Sequence, residues 1–320
     1  MSEIVRLVLP FFGLIFLGFG AGRLRGIPPG GLAGLEFFVL YLAMPALLFK
    51  LIAEAPAAAP AMWPFVLTTT FATYCAFAIA FSIGALVNGG NVPEATVQGL
   101  VGSYANIGYM APAVAIAAFG SAAAVPMALV FSFDNAMLFT LTPLMMALGG
   151  AGRVDPLALT ERIARQVLLH PFIIATAAGL LALWLAVDIP APVDAFLSLL
   201  GGAAAPAALF AVGVGLAMRP VGQVHSEMPV LVGVKLVVHP LIVYLLLSWV
   251  GGFDAVWVHT AVLIAALPPA ANVLVLAHRH RAYVERATTS ILLGAVVSVA
   301  TVTVVLILLL NDLLPADPFR

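Results

Sequence analysis

Charged residues are scarce in this chain: Asp, Glu, Lys and Arg make up only 8% of its 320 residues, whereas 63% are hydrophobic. The mean hydropathy is +1.16. A soluble domain of this length needs a charged exterior, so the composition excludes an ordinary soluble protein. The formal net charge of −1 provides no basic surface for nucleic acid. We therefore expect an all-α polytopic membrane protein that contacts the lipid bilayer.

Several sequence features of enzymes are also missing. The single cysteine, Cys75, excludes an internal disulfide and a multi-cysteine metal site. The chain has no Walker motif for ATP hydrolysis, no His-Glu-x-x-His zinc motif and no Gly-x-Ser-x-Gly element. A two-aspartate mechanism requires paired carboxylates, but Asp134 is the only acidic residue in the middle of an apolar run. We expect a protein that is not an enzyme and that has no metal or organic cofactor.

Long apolar runs dominate the rest of the sequence. Runs of about 17 to 25 residues are long enough to cross a bilayer as helices. These runs are continuous and do not alternate at every second residue, which favours helices over a β-barrel. We predict ten transmembrane helices, at about residues 5–22, 32–53, 63–87, 95–119, 122–148, 166–187, 193–217, 228–250, 255–278 and 287–311.

The positively charged residues are distributed unevenly between the predicted loops. Nine of them lie in loops that follow odd-numbered spans, three lie on the opposite side, and Lys235 lies inside a span. Because Lys and Arg remain mainly on the cytoplasmic side, this distribution predicts that both termini are outside. The connection at residues 151–165 is then a cytoplasmic loop.

Two short sequence matches indicate an internal duplication. The segment MPALLF (44–49) is similar to APAALF (205–210), and LPFF (9–12) is similar to HPFI (170–173). Both pairs have the same offset, which is close to half of the chain length. Chance recurrence of Ala, Leu and Pro is the alternative explanation.

A duplicated unit of five spans has a topological consequence. An odd number of spans places the two halves in opposite orientations, and such inverted repeats are a recurrent transporter architecture with a ligand site where the repeats meet. We predict that residues 1–150 form the first repeat and residues 166–320 the second. Each repeat is expected to contribute to both a scaffold domain and a transport domain.

The fourth span of each predicted half contains residues that weaken a helix. The first reads GSYANIGYMAPAVAIAAFG (102–120), and the second reads AVLIAALPPAANVLVLAHRH (261–280). Proline removes a backbone donor and leaves carbonyl groups unpaired, which lipid does not tolerate unless protein or water satisfies them. We predict that spans four and nine are broken, crossing helices. Their break residues are Pro112, Pro268 and Pro269.

These interruptions also suggest a binding site. An asparagine side chain near each break supplies two donors and one acceptor, and half-helix ends add partial charge. We predict that Asn106, Asn272, Ser103 and Tyr109 bind the substrate. In the alternative interpretation, the prolines only kink packed helices and the asparagines only link neighbouring helices.

Four polar residues inside other spans are candidates for proton or ion coupling: Asp134, Asn135, Lys235 and His239. Ionisable groups at such depth are costly and are expected to face a cavity or a partner. Lys235 and His239 are four residues apart and share one helix face. Three alternatives remain open: Asp134 is a structural hydrogen-bonding group, Lys235 extends to the membrane interface, or His239 bonds a carbonyl freed by Pro240.

Several segments resemble the auxin efflux carrier family of bacterial membrane transporters, which is distantly related to the plant PIN-type auxin carriers. The resemblance runs through most of the chain in the order of the family. It is found in the segments LYLAMPALLF (40–49), SYANIGYMAPAVAIAAFG (103–120), HPFIIATAAGLL (170–181), GGAAAPAALFAVGVGLA (201–217) and AALPPAANVLVLAHRH (265–280).

The resemblance implies ten helices with outward termini in a bacterial inner membrane, and transport of a small organic anion, either a carboxylate or an auxin-like compound. The family's asparagine in the fourth helix corresponds to Asn106, and the proline–asparagine element of the ninth to Pro268 and Asn272. The chain departs from the family pattern Asn-x-Gly-aromatic-x-Gly-x-Pro, because Ala111 replaces the second glycine and Pro112 comes one position early. The position of the helix break is therefore expected to differ from that of relatives.

Together these features predict a secondary transporter that moves a small organic anion by alternating access. The energy is expected from the substrate gradient, the membrane potential, or coupling to H+ or Na+. The alternative is a passive channel or a sensor with a transporter-like fold. A homodimer is one assembly that fits this architecture.

Overall fold

A computed structural model describes residues 2–28, 30–55, 62–150, 160–161, 164–165, 168–219 and 222–319. Within these ranges the chain is helical, and strand pairing is limited to one isolated bridge between Ala105 and Pro269. The all-α prediction is therefore confirmed for the described residues. Most of the predicted connecting loop 151–165 lies outside them.

The helices before residue 150 are α1 (Ser2–Leu24), α2 (Gly31–Phe38), α3 (Met44–Ala53), α4 (Met62–Val87), α5 (Val92–Ser103), α6 (Met110–Phe119) and α7 (Ala124–Leu148). The later helices are α8 (Pro171–Trp184), α9 (Ala191–Gly202), α10 (Ala204–Ala217), α11 (Glu227–Gly233), α12 (His239–Val250), α13 (Ala255–Ala265), α14 (Asn272–His280) and α15 (Val284–Leu310).

Six helical segments of the described chain are long and apolar enough to cross a membrane. They are Gly31–Ala53, Met62–Val87, Met110–Leu148, Ala191–Ala217, Glu227–Val250 and Val284–Leu310. Shorter apolar helices cover Leu9–Leu24, Pro171–Trp184 and Ala255–Ala265. The protein is therefore a multi-pass membrane protein, whereas the count of ten spans and the inverted repeat remain predictions.

Two of the long helical segments contain a π-helical turn, and in each case a proline is the second residue after the turn. One turn covers Val39–Ala43, before Pro45, and the other covers Val234–Val238, before Pro240. A proline ring clashes with the carbonyl group four residues earlier, and a widened turn relieves that clash. The two helices can therefore continue past their prolines.

The chain divides into two compact units. The first unit consists of Met1–Pro60, Gly108–Leu129 and Leu168–Arg219. The second unit consists of Ala61–Ile107, Val130–Val167 and Pro220–Arg320. Each unit therefore takes segments from both halves of the sequence.

In the first unit, α1 and α10 are in very close contact. A Cβ atom at Gly18 would overlap the backbone carbonyl group of Phe210, and one at Gly213 would overlap the backbone of Ile15. Small residues allow helices to approach each other closely in membranes, where van der Waals packing drives association. Glycines at these two positions therefore make the contact between the helices.

The second unit contains nearly all of the buried polar side chains in the described chain. Of the twenty polar or charged side chains buried in the described chain, nineteen belong to this unit, and Thr176 is the exception. Each such group requires a hydrogen-bonding partner, and most of the candidate functional residues lie in this unit, whereas Tyr109 and Pro112 belong to the first unit.

Candidate functional site

The first helix interruption lies between α5 and α6. Helix α5 ends at Ser103, Tyr104 has extended backbone angles (φ −80°, ψ 110°), and helical geometry resumes at Met110. Pro112 lies in the first turn of α6, where backbone N–H groups have no partner within the helix. The interruption therefore precedes Pro112, although the sequence analysis placed the break at this proline.

The second interruption lies between α13 and α14. Helix α13 ends at Ala265, Pro268 and Pro269 follow in non-helical geometry, and α14 begins at Asn272. The two prolines cannot donate the backbone hydrogen bonds that would continue the helix. Gly294 of α15 makes space for this segment, since a Cβ atom there would lie only 2.6 Å from Cδ of Pro269.

The two interruptions pair with each other through their backbones. The N–H group of Asn106 donates to the carbonyl oxygen of Pro268 at 2.8 Å, and the N–H group of Ala270 donates to that of Tyr104 at 3.1 Å. Buried backbone groups that leave a helix must find other partners. Here two distant segments of the sequence satisfy one another, which holds Asn106 and the start of α14 in one region of the second unit.

The polar side chains near this pairing are connected to α7. The Tyr104 hydroxyl donates to Oδ1 of Asn135 at 2.8 Å. The amide of Asn135 in turn donates to the carbonyl oxygen of Phe131 at 2.8 Å. Asn106 is 6% exposed, whereas Asn272 is exposed at the first position of α14.

The other two predicted substrate residues have different surroundings. Ser103 is buried, and its hydroxyl donates to the carbonyl oxygen of Gly99 at 2.8 Å. Tyr109 belongs to the first unit, where it is half-buried at the start of α6. Of the four predicted substrate residues, Asn106, Asn272 and Ser103 lie in the second unit.

Three ionisable side chains are completely or almost completely buried in the second unit. The exposed fractions of Lys235, His239 and Asp134 are 0%, 1% and 3%. The Thr73 hydroxyl lies 3.2 Å from Oδ1 of Asp134 and 3.3 Å from Nε2 of His239. The other ring nitrogen of His239, Nδ1, lies 3.3 Å from Nζ of Lys235. These four side chains form one continuous polar chain.

The polar chain ends at the second interruption. Nζ of Lys235 donates a hydrogen bond to the carbonyl oxygen of Ala265, the last residue of α13. The last carbonyl groups of a helix lack partners within the helix and carry partial negative charge. Lys235 therefore satisfies a carbonyl group at the end of α13, three residues before Pro268.

Two of the alternatives from the sequence analysis are wrong for these residues. Lys235 does not extend to the membrane interface, because its side chain is completely buried in the protein. The ring nitrogens of His239 contact Thr73 and Lys235, so they do not bond a carbonyl group freed by Pro240. The contact between Lys235 and His239 confirms that their spacing places them on one face.

Thr73 was not identified from the sequence, although it connects Asp134 with His239. Thr69 and Thr73 are one helical turn apart on α4, and both hydroxyls also donate to backbone carbonyl groups of the preceding turn. Two threonines at this spacing in an apolar helix were the available signal. A cavity of about 10 Å³ adjoins Thr69, Thr73, Asp134 and His239, which is enough space for about one water molecule.

A second polar cluster fixes the start of α15 to α11. The Tyr283 hydroxyl and Nη1 of Arg286 each donate to Oε1 of Glu227 at 3.1 Å. Burial raises the pKa of the Tyr283 phenol, so the group remains a protonated donor. Tyr283 has a positive φ of 55°, and these contacts hold it in that conformation.

The chain was compared with known proteins. A family model described as "Membrane transport protein" matches residues 3–306. A protein of Rhizobium meliloti (strain 1021) named "Putative malonate transporter" is 46% identical over 319 residues, and the match covers 100% of both chains.

Proposed function

The chain belongs to the membrane transport protein family, and from this premise we propose that it is a secondary transporter that moves a short dicarboxylate across the cell membrane by alternating access. The relative from Rhizobium meliloti bears the name of a malonate transporter and matches the chain over its whole length. Malonate is therefore the first substrate to test. The main structural support is the pairing of two interrupted helices beside Asn106 and Asn272.

The proposed substrate site is suited to an anion. Asn272 is the first residue of α14, and the free N–H groups at a helix start carry partial positive charge. The amides of Asn106 and Asn272 add neutral donors. In this proposal a carboxylate of the substrate accepts hydrogen bonds from these amides at the interruptions.

The polar chain from Asp134 to Lys235 is proposed to couple transport to protons. Hard cations such as Na+ prefer oxygen ligands, but the polar chain of Thr73, Asp134, His239 and Lys235 includes a histidine ring and an ammonium group. The cavity beside these side chains is also small, about 10 Å³. These features favour H+ over Na+. Protonation of Asp134 would change the hydrogen bond that it accepts from Thr73. This change would pass through His239 to Lys235 and would alter the hydrogen bond between Lys235 and the carbonyl group at the end of α13.

Transport assays in proteoliposomes test the proposal. We expect a pH gradient to drive accumulation of radiolabelled malonate and a protonophore to abolish it. We also expect preloaded unlabelled malonate to accelerate entry of labelled malonate, because an alternating-access carrier exchanges substrate, whereas a passive channel does not. Malonate entry without such exchange would contradict the carrier mechanism, and no malonate entry would contradict the substrate class.

The predicted orientation can be tested with single cysteines. In a Cys75→Ser background, Glu161→Cys reports on the connecting loop and Phe319→Cys on the C-terminal end; both positions are exposed in the structure. An impermeant thiol reagent added outside intact cells is expected to label Phe319→Cys and to spare Glu161→Cys. Equal labelling of the two variants would overturn the orientation predicted from the positive charges.

A further inference from the structure

A cavity of about 290 Å³ lies between α7 and α14 in the second unit. Leu138 and Thr142 of α7 and Asn272, Val275 and Arg279 of α14 are among the residues that line it. Ligand pockets have volumes from about 300 Å³ upward, so this cavity has the size for a small molecule. From the sequence, Arg279 is one of the nine positively charged residues in loops that follow odd-numbered spans, and no binding role was predicted for it.

The lining of this cavity follows the helical periodicity of α14. Val275 and Arg279 lie three and seven residues after Asn272, so the three residues share one face of the helix. Two helical turns correspond to about 10.5 Å along the axis, so Asn272 and Arg279 lie at opposite ends of this face. Val273 and Ala277 lie on the other side and are buried. The cavity thus has polar groups at both ends and an apolar middle.

Two polar groups in the cavity lack protein partners in the described chain. Thr142 is 1% exposed, and its hydroxyl has no hydrogen-bonding partner there. Arg279 is exposed and forms no ion pair with a described residue, unlike Arg286, which is paired with Glu227. A buried hydroxyl without a partner is costly, and a guanidinium group binds carboxylates well. Both residues line the cavity, and a carboxylate is a chemically suitable acceptor for each of these donors.

We propose that this cavity is a second anion-binding position, in which Arg279 and Thr142 bind a carboxylate of the substrate on its path to or from Asn272. This inference rests on the proposed function, because it assumes that the transported compound is a short dicarboxylate. Arg279 supplies the charge that the amides at the interruptions lack. Substrate therefore meets a full positive charge at one end of α14 and neutral donors at the other.

The competing explanation is that Arg279 only stabilises the end of α14. His278, Arg279 and His280 lie in the last turn, where cations interact favourably with the helix dipole. Arg281 follows directly at the C-cap and is exposed, but it does not line the cavity. Arg281→Gln therefore removes a similar charge from the same helix end and is the matched control.

The test is calorimetric titration of malonate into the purified full-length protein in nanodiscs of neutral phosphatidylcholine. We expect Arg279→Gln to raise the Kd about tenfold, Thr142→Val to raise it about threefold, and Arg281→Gln to leave it within about twofold. Arg279→Lys should give an intermediate Kd, since lysine retains the charge but not the planar, bidentate donor geometry. Arg279 is exposed, so its replacement is not expected to unfold the protein.

The outcomes separate this inference from the proposed function. If the wild-type protein binds no malonate or other short dicarboxylate, the proposed function fails and the inference with it. If Asn272→Ala weakens malonate binding but Arg279→Gln behaves like Arg281→Gln, only the second position is overturned. If phosphatidylglycerol in the nanodisc raises the wild-type Kd to that of Arg279→Gln and leaves the Kd of Arg279→Gln unchanged, the anionic headgroup competes with malonate at Arg279, which supports an anion-binding position in the cavity.

Discussion

Within the described chain, the buried side chains of the first unit are almost all apolar, whereas the second unit also buries polar and charged side chains. Gly18 and Gly213 bring the backbones of α1 and α10 into contact, and only Thr176 is a buried polar residue of that unit in the described chain. The second unit contains the other nineteen, among them Asp134, Lys235 and His239. Close contact between backbones favours tight helix packing, whereas buried polar side chains in a membrane protein are energetically costly.

The difference indicates where function is located. Polar side chains within a membrane protein are expensive, and those that persist usually belong to substrate or ion pathways. In the second unit they connect to both helix interruptions, through Tyr104 and Asn135 at one and through Lys235 at the other. We therefore expect substitutions in the first unit to affect stability and substitutions in the second to affect transport.

The largest expected effect is on the stability of the first unit. Gly18→Ala places a methyl group into the backbone of Phe210, and overpacking of this kind costs about 3 kcal/mol when a rigid backbone must move. We expect a clear loss of folded protein and a lower midpoint of thermal unfolding. Gly20→Ala is the control on the same helix, because its added Cβ meets no atom within 4 Å. Equal stability of the two variants would contradict the close contact of α1 and α10.

The next effect concerns coupling in the second unit. Asp134→Asn retains the shape and the hydrogen bond with Thr73 but removes the ionisable group. We expect pH-driven malonate accumulation in proteoliposomes to fall at least tenfold, while malonate exchange and protein abundance remain near normal. Asp312→Asn, at an exposed position beyond α15, is the control. Loss of folded protein, or an unchanged response to the pH gradient, would instead identify Asp134 as a structural group.

A smaller effect is expected where α15 makes space for the second interruption. In Gly294→Ala, the added Cβ atom would lie 2.6 Å from Cδ of Pro269. This overlap would shift the segment that pairs with Tyr104 and Asn106. We expect about a threefold increase in the KM for malonate with little loss of expression. Gly233→Ala is the control in the same unit, since its Cβ meets no neighbour within 4 Å. Matching KM values for the two variants would show that the position of Pro269 is unimportant.

Local sequence patterns account for some of the elements near the candidate site. Pro268 and Pro269 lie in the second interruption because two successive residues without a backbone N–H group cannot continue the hydrogen bonding of a helix. Lys235 and His239 are in contact because residues four apart share a helix face. Pro112 lies within the first turn of α6, which begins at Met110, because near a helix start the missing backbone donor has no consequence.

Contacts between distant segments could not be predicted in this way. Thr73 connects Asp134 and His239, and Lys235 reaches Ala265, only because four separate helices meet in the second unit. The backbone pairing of Asn106 with Pro268 likewise depends on tertiary packing. A sequence pattern shows which groups need partners, but it does not show which partners the fold supplies.

The most direct test of the central claim is the binding of malonate to Asn106→Ala, Asn272→Ala and the double variant. A hydrogen bond to a charged ligand contributes about 1.5 to 3 kcal/mol, so each single variant is expected to raise the Kd about tenfold or more. If both amides bind one ligand, the loss of binding free energy in the double variant should be smaller than the sum of the losses in the two single variants. Asn311→Ala, at the exposed end of α15, is the control. An unchanged Kd in both single variants would contradict a substrate site at the paired interruptions.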